Sequence, residues 1–367
     1  MAYTKFNRDL LLLKKLSERY SKVTIKDKIS NSERSQNINA TGREVINKTA
    51  DRVRSAIHNQ KSVVMAFGAH TIKNLMGPVL IQLIKEGWVT HLATNGAGII
   101  HDWELAFQGR TSEDVRENVN KGQFGIWEET GRYINLAIIV GAYEGLGYGE
   151  SVGKMISREG LDIPEIAALS DETRAQIEND PERAAAAADL LGIIKKFRLE
   201  PGFLKISHPY KEFSVQAWAY DLKVPFTGHP MIGHDIIYNH PMNLGSAIGR
   251  TALNDFLSFT DSISNIANGV YISLGSAVMS PMIFEIALSM VQNIEIQHNR
   301  HIDNHFIMVV DLARSDWDWQ KSGEPPADNP AYYLRYCKTF SRMGGEMHYL
   351  TADTRDFLKE LSFNLSV

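Results

Sequence analysis

Two short stretches of this chain carry residue types and spacings suited to chemistry. Residues 227–241 (TGHPMIGHDIIYNHP) hold His229, His234, Asp235 and His240. Neutral imidazoles and a carboxylate suit zinc or another transition metal. The same groups suit acid–base work, because histidine titrates nearest neutrality. Structural hydrogen bonding within a loop is the third reading. Residues 88–102 (WVTHLATNGAGIIHD) end an apolar run in Thr94, Asn95, Gly96, Ala97 and Gly98, followed by His101 and Asp102. Small residues there leave backbone amides open to a ligand. A further set, His298, His301 and His305, lies in EIQHNRHIDNH, polar surroundings that read as a solvated connection.

These residues need a scaffold, and the chain supplies an alternating one. Residues 62–67 (SVVMAF) read as a buried strand, 68–77 as a tight junction, and 79–85 as a helix ending at Gly87, so that the run into 88–95 completes a β-α-β unit. Residues 134–141 (INLAIIVG) read as another strand, with a glycine turn at 144–149 and a helix over 150–158. A helix is expected within 171–197, where Pro181 and an alanine run favour it. Residues 217–226 read as strand-like, 269–274 (GVYISL) and 305–312 (HFIMVVDL) as strands, and 281–291 as a helix. Alternation of this kind predicts an α/β fold: a Rossmann-like, mainly parallel sheet with helices on both faces. Residues 1–60, with a loop near 31–39 and a helix over 42–57, read as an amino-terminal helical arm, and 61–367 as a single α/β domain. In an open parallel sheet the ligand sits at the carboxyl ends of the strands, which is where Gly68, His70 and Thr71, and the turn after Thr94, would fall.

Composition narrows the partners. The 367 residues are 44% hydrophobic, enough for a sizeable core. A net charge of −4 and a pI near 6.3 give no basic footprint for nucleic acid. No stretch approaches a membrane span, and 10–13 is too short for a signal-peptide core. A cytoplasmic protein with a small-molecule substrate is expected, and the single cysteine, Cys337, excludes an intramolecular disulfide. Gly145, Gly147, Gly149, Gly153 and Lys154 match a P-loop only loosely, with Tyr148 where its first glycine belongs and Met155 where its magnesium-binding hydroxyl belongs. The G-x-G-x-x-G spacing of a Rossmann fingerprint is absent there as well.

The order of motifs from about Val63 to Lys338 resembles the deoxyhypusine synthase superfamily. Residues 68–77 (GAHTIKNLMG) look like that family's first glycine-bounded loop after a strand. Residues 93–98 through Asp102 look like its second loop, a glycine turn followed by acids. Residues 214–237 are similar to a segment in which a Trp-Ala-Tyr helix leads into a strand and a loop ending in an acid, here Asp235. Residues 269–293 are similar to the strand, glycine loop and helix that carry the family's catalytic lysine. The resemblance implies the fold, NAD as cofactor, a transferase-like relationship and a homotetramer. It implies that NAD would contact Gly68, His70, Thr71, Thr94, Asn95, Gly96, Gly98, Gly275, Ser276 and Asp311.

The lysine itself is missing. Residues 274–278 (LGSAV) lead to Ser280, Pro281 and Met282, and serine cannot form the imine that a lysine adduct needs. Deoxyhypusine synthesis by that route is therefore not expected, and Ile99, Ile100 and His101 replace acids of the polyamine pocket. The expectation is an NAD-dependent enzyme acting on a small amine or hydroxyl metabolite. His234 or His101 would serve as general base, and Asp235 or Asp102 as the orienting acid. The Asn-Gly-Ala-Gly and His-Asp turn is also similar to the ornithine cyclodeaminase type. Two alternatives stay open: a metal-dependent hydrolase using His229, His234, Asp235 and His240, and a non-catalytic dinucleotide sensor.

Overall fold

A computed structural model describes residues 3–26 and 34–366. The chain divides into two compact units, each assembled from separate stretches of sequence. One comprises 34–98, 218–229 and 255–366, and the other 3–26, 99–217 and 230–254. This division does not follow a boundary at residue 60: the helix Ala40–His58 belongs with the sheet, and residues 3–26 with the other unit. Of the loop expected near 31–39, residues 31–33 lie outside those described. Asn39 closes the remainder, its side-chain oxygen accepting from Gly42 N at 2.8 Å as the helix cap.

The first unit is built on six strands, β1 (Val63–Phe67), β2 (His91–Asn95), β3 (Phe226–His229), β4 (Val270–Leu274), β5 (Phe306–Asp311) and β6 (Glu346–Thr351). All five neighbouring pairs are parallel, in the spatial order β3-β2-β1-β4-β5-β6. That is the order of the doubly wound dinucleotide-binding fold, whose winding reverses between β1 and β4. β1 and β4 are buried along their whole length, as apolar runs in a parallel sheet must be. Val64, Ala66, Ala93, Tyr271 and Val309 face one layer, packed by Phe259, Phe284 and Phe340 from three helices. Helices Ala40–His58 and Thr354–Ser366 pack on the sheet from their own layer. The Rossmann-like expectation holds.

The second unit is mostly helical, with antiparallel ribbons pairing Val23–Thr24 with Arg110–Thr111 and Gly160–Ile163 with Gly202–Lys205. Here one expectation fails. Residues 134–141 form the middle of the helix Glu128–Glu144, not a strand. Nearly every side chain from Thr130 to Ala142 is buried, so the run has no polar face to show a helical period. The glycine turn after it therefore joins two helices rather than following a strand. Gly145 ends the helix with φ +79°, and a Cβ on Gly141 would lie 1.8 Å from Ser151 Oγ of the next helix, Tyr148–Arg158. Residues 217–226 also differ: Val215–Leu222 is a helix, Lys223 turns with φ +57°, and only Phe226–His229 is strand. Among the described residues no helix is long and apolar enough to cross a membrane.

Candidate functional site

Strand register lines up the carboxyl edge of the sheet. Asn95 pairs with His229, Phe67 with Thr94 and with Leu274, and Asp311 with Thr351. The edge row therefore reads His229, Asn95, Gly68, Gly275, Asp311, Thr351. All ten residues assigned to NAD on resemblance lie in this unit, on that edge or in the turns just beyond it. Gly68 and Gly275 flank the point where the winding reverses. Gly68 N donates to Leu274 O at 2.9 Å, and a Cβ on Gly68 would lie 2.2 Å from Gly275 O. Gly68 has φ −80°, which any residue adopts, so the position demands smallness rather than unusual backbone. Gly275 has φ +53° and is exposed, a left-handed turn that suits glycine.

Several of these side chains are occupied in building the edge. Thr94 Oγ1 donates to Phe67 O at 2.9 Å, tying β2 to β1, and would meet a Cβ on Gly98 at 2.2 Å. Asn95 Oδ1 accepts from Gly98 N at 2.9 Å and folds the chain into the helix Gly96–Gln108. Ser276 Oγ accepts from Ser280 N at 3.2 Å, and Asp311 Oδ1 from Ala313 N at 3.2 Å. His70 is exposed. Thr71 is different: it is buried, and its hydroxyl has no partner among the described residues.

The same unit holds a buried polar chain that no sequence pattern announced. His229 Nε2 and His91 Nε2 each lie 2.9 Å from the Thr227 hydroxyl, and His91 Nδ1 lies 2.8 Å from Ser262 Oγ. Phe259 packs edge-on against both imidazoles. Burial pushes both histidines down to about 3, and His229 adds to the effect on His91, so both rings are neutral. His91 sits in an apolar run, where a lone histidine carries no spacing signal.

The remaining histidines of 227–241 belong to the helical unit. His240 accepts from Met242 N at Nδ1 (3.0 Å) and meets Glu128 at Nε2 (3.2 Å), so both ring nitrogens hold structure. Glu128 is in turn held below the usual carboxylate range by that contact. Among the described residues, no group of three or more His, Cys, Asp or Glu is arranged to hold a metal ion. The shared ligand set expected of a metal-dependent hydrolase therefore does not assemble. His234 is exposed on a turn closed by its amide to Met231 O. Asp235 Oδ2 is buried without a partner among the described residues, and burial pushes its carboxyl up to about 7.

Asp235 thus makes stability depend on pH. The folded protein keeps its proton to about pH 7, whereas an unfolded aspartate releases it near about 3.9. Stability is accordingly lost as pH rises through that window. Asp235→Asn should flatten the loss, read as urea midpoints at about pH 5 and about pH 7.5. Equal falls in both proteins would remove Asp235 as the cause.

His101 and Asp102, adjacent in sequence, do different things. Asp102 is buried and accepts from the Ser214 hydroxyl (2.6 Å), Val215 N (2.9 Å), Gln216 N (3.2 Å) and Gln216 Nε2 (2.9 Å). It anchors the start of the helix Val215–Leu222, so its carboxylate works through structure. His101 Nδ1 lies 2.7 Å from Thr111 Oγ1, which donates to Glu104 Oε2 at 2.5 Å. Glu104 is buried in a two-pronged ion pair with Arg19 at 2.6 and 2.7 Å and accepts from Thr130 at 3.1 Å. Burial opposes its charge, but Arg19, then His101 and Thr111, outweigh that and hold the carboxyl below its usual range. An ionised carboxylate only accepts and Thr111 has one proton to give, so His101 must donate from Nδ1. In its neutral form the ring then keeps Nε2 as its acceptor nitrogen. Arg19, Glu104, Thr111 and Thr130 were not singled out in the sequence.

The solvated connection expected at His298, His301 and His305 holds for the first two only. His298 caps the carboxyl end of Met279–Gln297, His301 pairs with Asp303 at 2.8 Å in the open, and His305 is buried. Trp319 is buried and Trp317 packs against the core, so the 316–319 loop uses its tryptophans as anchors.

No protein-family model and no curated protein matches this sequence. Among solved structures, the chain is similar to ArgZ, an arginine dihydrolase from the ornithine-ammonia cycle in cyanobacteria, at 13% identity and a TM-score of 0.39. That match covers 88% of this chain and 32% of ArgZ. It is similar to a conserved putative LOR/SDH protein from Methanococcus maripaludis S2, at 11% identity and a TM-score of 0.43, over 97% of this chain and 75% of the other. It is also similar to AgrE, in a ternary complex with ornithine and NAD+, at 14% identity and a TM-score of 0.43, over 88% and 33%. The chain spans about a third of the length of ArgZ and AgrE.

Proposed function

We propose that this chain is an NAD-dependent enzyme acting on a small amine or hydroxyl metabolite. The observation that carries the reading is the strand order β3-β2-β1-β4-β5-β6, with Gly68 and Gly275 in contact distance at the carboxyl edge where the winding reverses. Residues in place fit the cofactor. The Gly68 and Gly275 backbones form the close approach, the partnerless Thr71 hydroxyl can donate, and the Asp311 carboxylate at the end of β5 can accept from a sugar hydroxyl. Bound NAD would supply a hydride acceptor for a C–H next to nitrogen or oxygen.

The chain's own contribution is to hold the substrate and take the proton. His101 is the general base of this reading, because Thr111, Glu104 and Arg19 hold its Nδ1 side in place. His234 is the competing base, Asp102 is a positioning residue through the Val215 helix, and Asp235 is a second carboxyl near its titration point.

The test is NAD reduction across a panel of amines and hydroxy acids, followed by His101→Asn and His234→Ala. Loss of at least about a hundredfold in turnover is expected for His101→Asn, the scale of general-base catalysis, with His234→Ala close to wild type. The reverse pattern would move the base to His234. No reduction with any substrate would remove the enzyme and favour a dinucleotide sensor.

A further inference from the structure

The buried chain His229–Thr227–His91–Ser262 lies within one unit and ends on the edge row, with His229 the last residue of β3 and opposite Asn95. Its bonding permits only two proton arrangements. Both imidazoles are neutral, and each presents Nε2 to the same Thr227 hydroxyl. That hydroxyl has one proton to donate and no other acceptor among the described residues, so satisfying it means donating to one ring and accepting from the other. One ring therefore carries Nε2–H and the other Nδ1–H. In the first arrangement His229 Nε2–H donates to Thr227, Thr227 to His91 Nε2, and His91 Nδ1–H to Ser262. In the second every bond is reversed.

We propose that this chain is a proton relay, and that His229 is a further acid–base residue of the cofactor edge. A proton arriving at His229 Nδ1 drives the Nε2 proton to Thr227. The Thr227 proton passes to His91 Nε2, the His91 Nδ1 proton to Ser262 Oγ, and the Ser262 proton to water. One proton enters, one leaves, and no bond to carbon changes. The starting arrangement is restored when the protons pass back along the same bonds, so the relay is reversible. His229 Nδ1 has no partner among the described residues, and Ser262 is half-buried, so both ends can exchange protons while His91 is sealed. Phe259 against both rings holds them in register. The relay's use in turnover rests on the NAD reading above, but its bonding pattern does not.

The test is long-range proton–nitrogen correlation NMR on histidine-labelled protein. Between about pH 6 and 8 both rings should stay neutral, with opposite tautomers or complementary populations of the two. Matching tautomers, or an imidazolium at either position, would overturn the relay. Thr227→Val should abolish the complementarity and Thr227→Ser should retain it. With NAD and a substrate, Thr227→Val should lose at least tenfold in turnover with NAD affinity unchanged, restored in Thr227→Ser, and wild-type turnover in Thr227→Val would overturn the catalytic role. Complementary tautomers in a protein that does not bind NAD would support the relay and sink the NAD reading instead.

Discussion

Arg19→Met should destabilise the protein by about 3–5 kcal/mol, the cost of stranding a buried charge. The guanidinium is only 2% exposed and Glu104 only 1%. Removing the cation leaves a carboxylate that water cannot reach. Thr111 and Thr130 still donate to it, but two hydroxyls do not replace a two-pronged ion pair. The carboxyl must then either remain charged in an apolar site or take up a proton, and a proton there would compete with the Thr111 donation that orients His101. The loss should therefore appear both in the urea midpoint and in the His101 tautomer. Adding Glu104→Gln removes the stranded charge, and the double variant should recover more than half of the loss. If Arg19→Met costs less than about 1 kcal/mol, the pair is no more than a surface-like bridge and the positioning of His101 is not built on it.

Gly68→Ala should have the second large effect, through space rather than conformation. The backbone at Gly68 is ordinary extended chain, but an added methyl would lie 2.2 Å from the Gly275 carbonyl oxygen, and the obstacle is backbone. The turns after β1 and β4 must move apart, and the 2.9 Å bond from Gly68 N to Leu274 O moves with them. Overpacking of this kind costs about 1–3 kcal/mol. The same movement opens the point where the winding reverses, so NAD affinity should fall at least tenfold, about 1.4 kcal/mol. Gly275→Ala makes the contrast. There a Cβ meets only Thr354 Cγ2 at 3.5 Å, and the cost comes from φ +53°, about 1–2 kcal/mol for a left-handed residue. A Gly68→Ala protein with wild-type NAD affinity would separate the cofactor from this edge.

How much of this was legible in the sequence depends on whether the signal was local. Strands β1, β2, β4 and β5 are short apolar runs bounded by glycine or polar residues, and they were readable as such. β6 was not, because Glu346–Thr351 is an edge strand with only Met347 buried. Residues 134–141 were misread because a helix buried all round and a buried strand have the same composition. The ten residues assigned to NAD on resemblance lie at or just after strand ends, and parallel register places strand ends in one row. The Arg19–Glu104 pair was hidden because its partners come from separate stretches of chain and share no motif. The His229–Thr227–His91 chain was hidden because β2 and β3 become neighbours only in the folded sheet. The cluster at 227–241 shows the opposite error. Closeness in sequence allowed a shared metal site as one reading, yet His229 belongs to the sheet, and His240 is committed at both nitrogens.

The central claim is that the carboxyl edge of the six-stranded sheet binds NAD, and calorimetric titration of the purified protein with NAD tests it most directly, run beside Gly68→Ala. Saturable binding near one NAD per chain, weakened at least tenfold by the added methyl, is the predicted result. Absence of saturable binding in the wild type, or equal binding in both proteins, would contradict it.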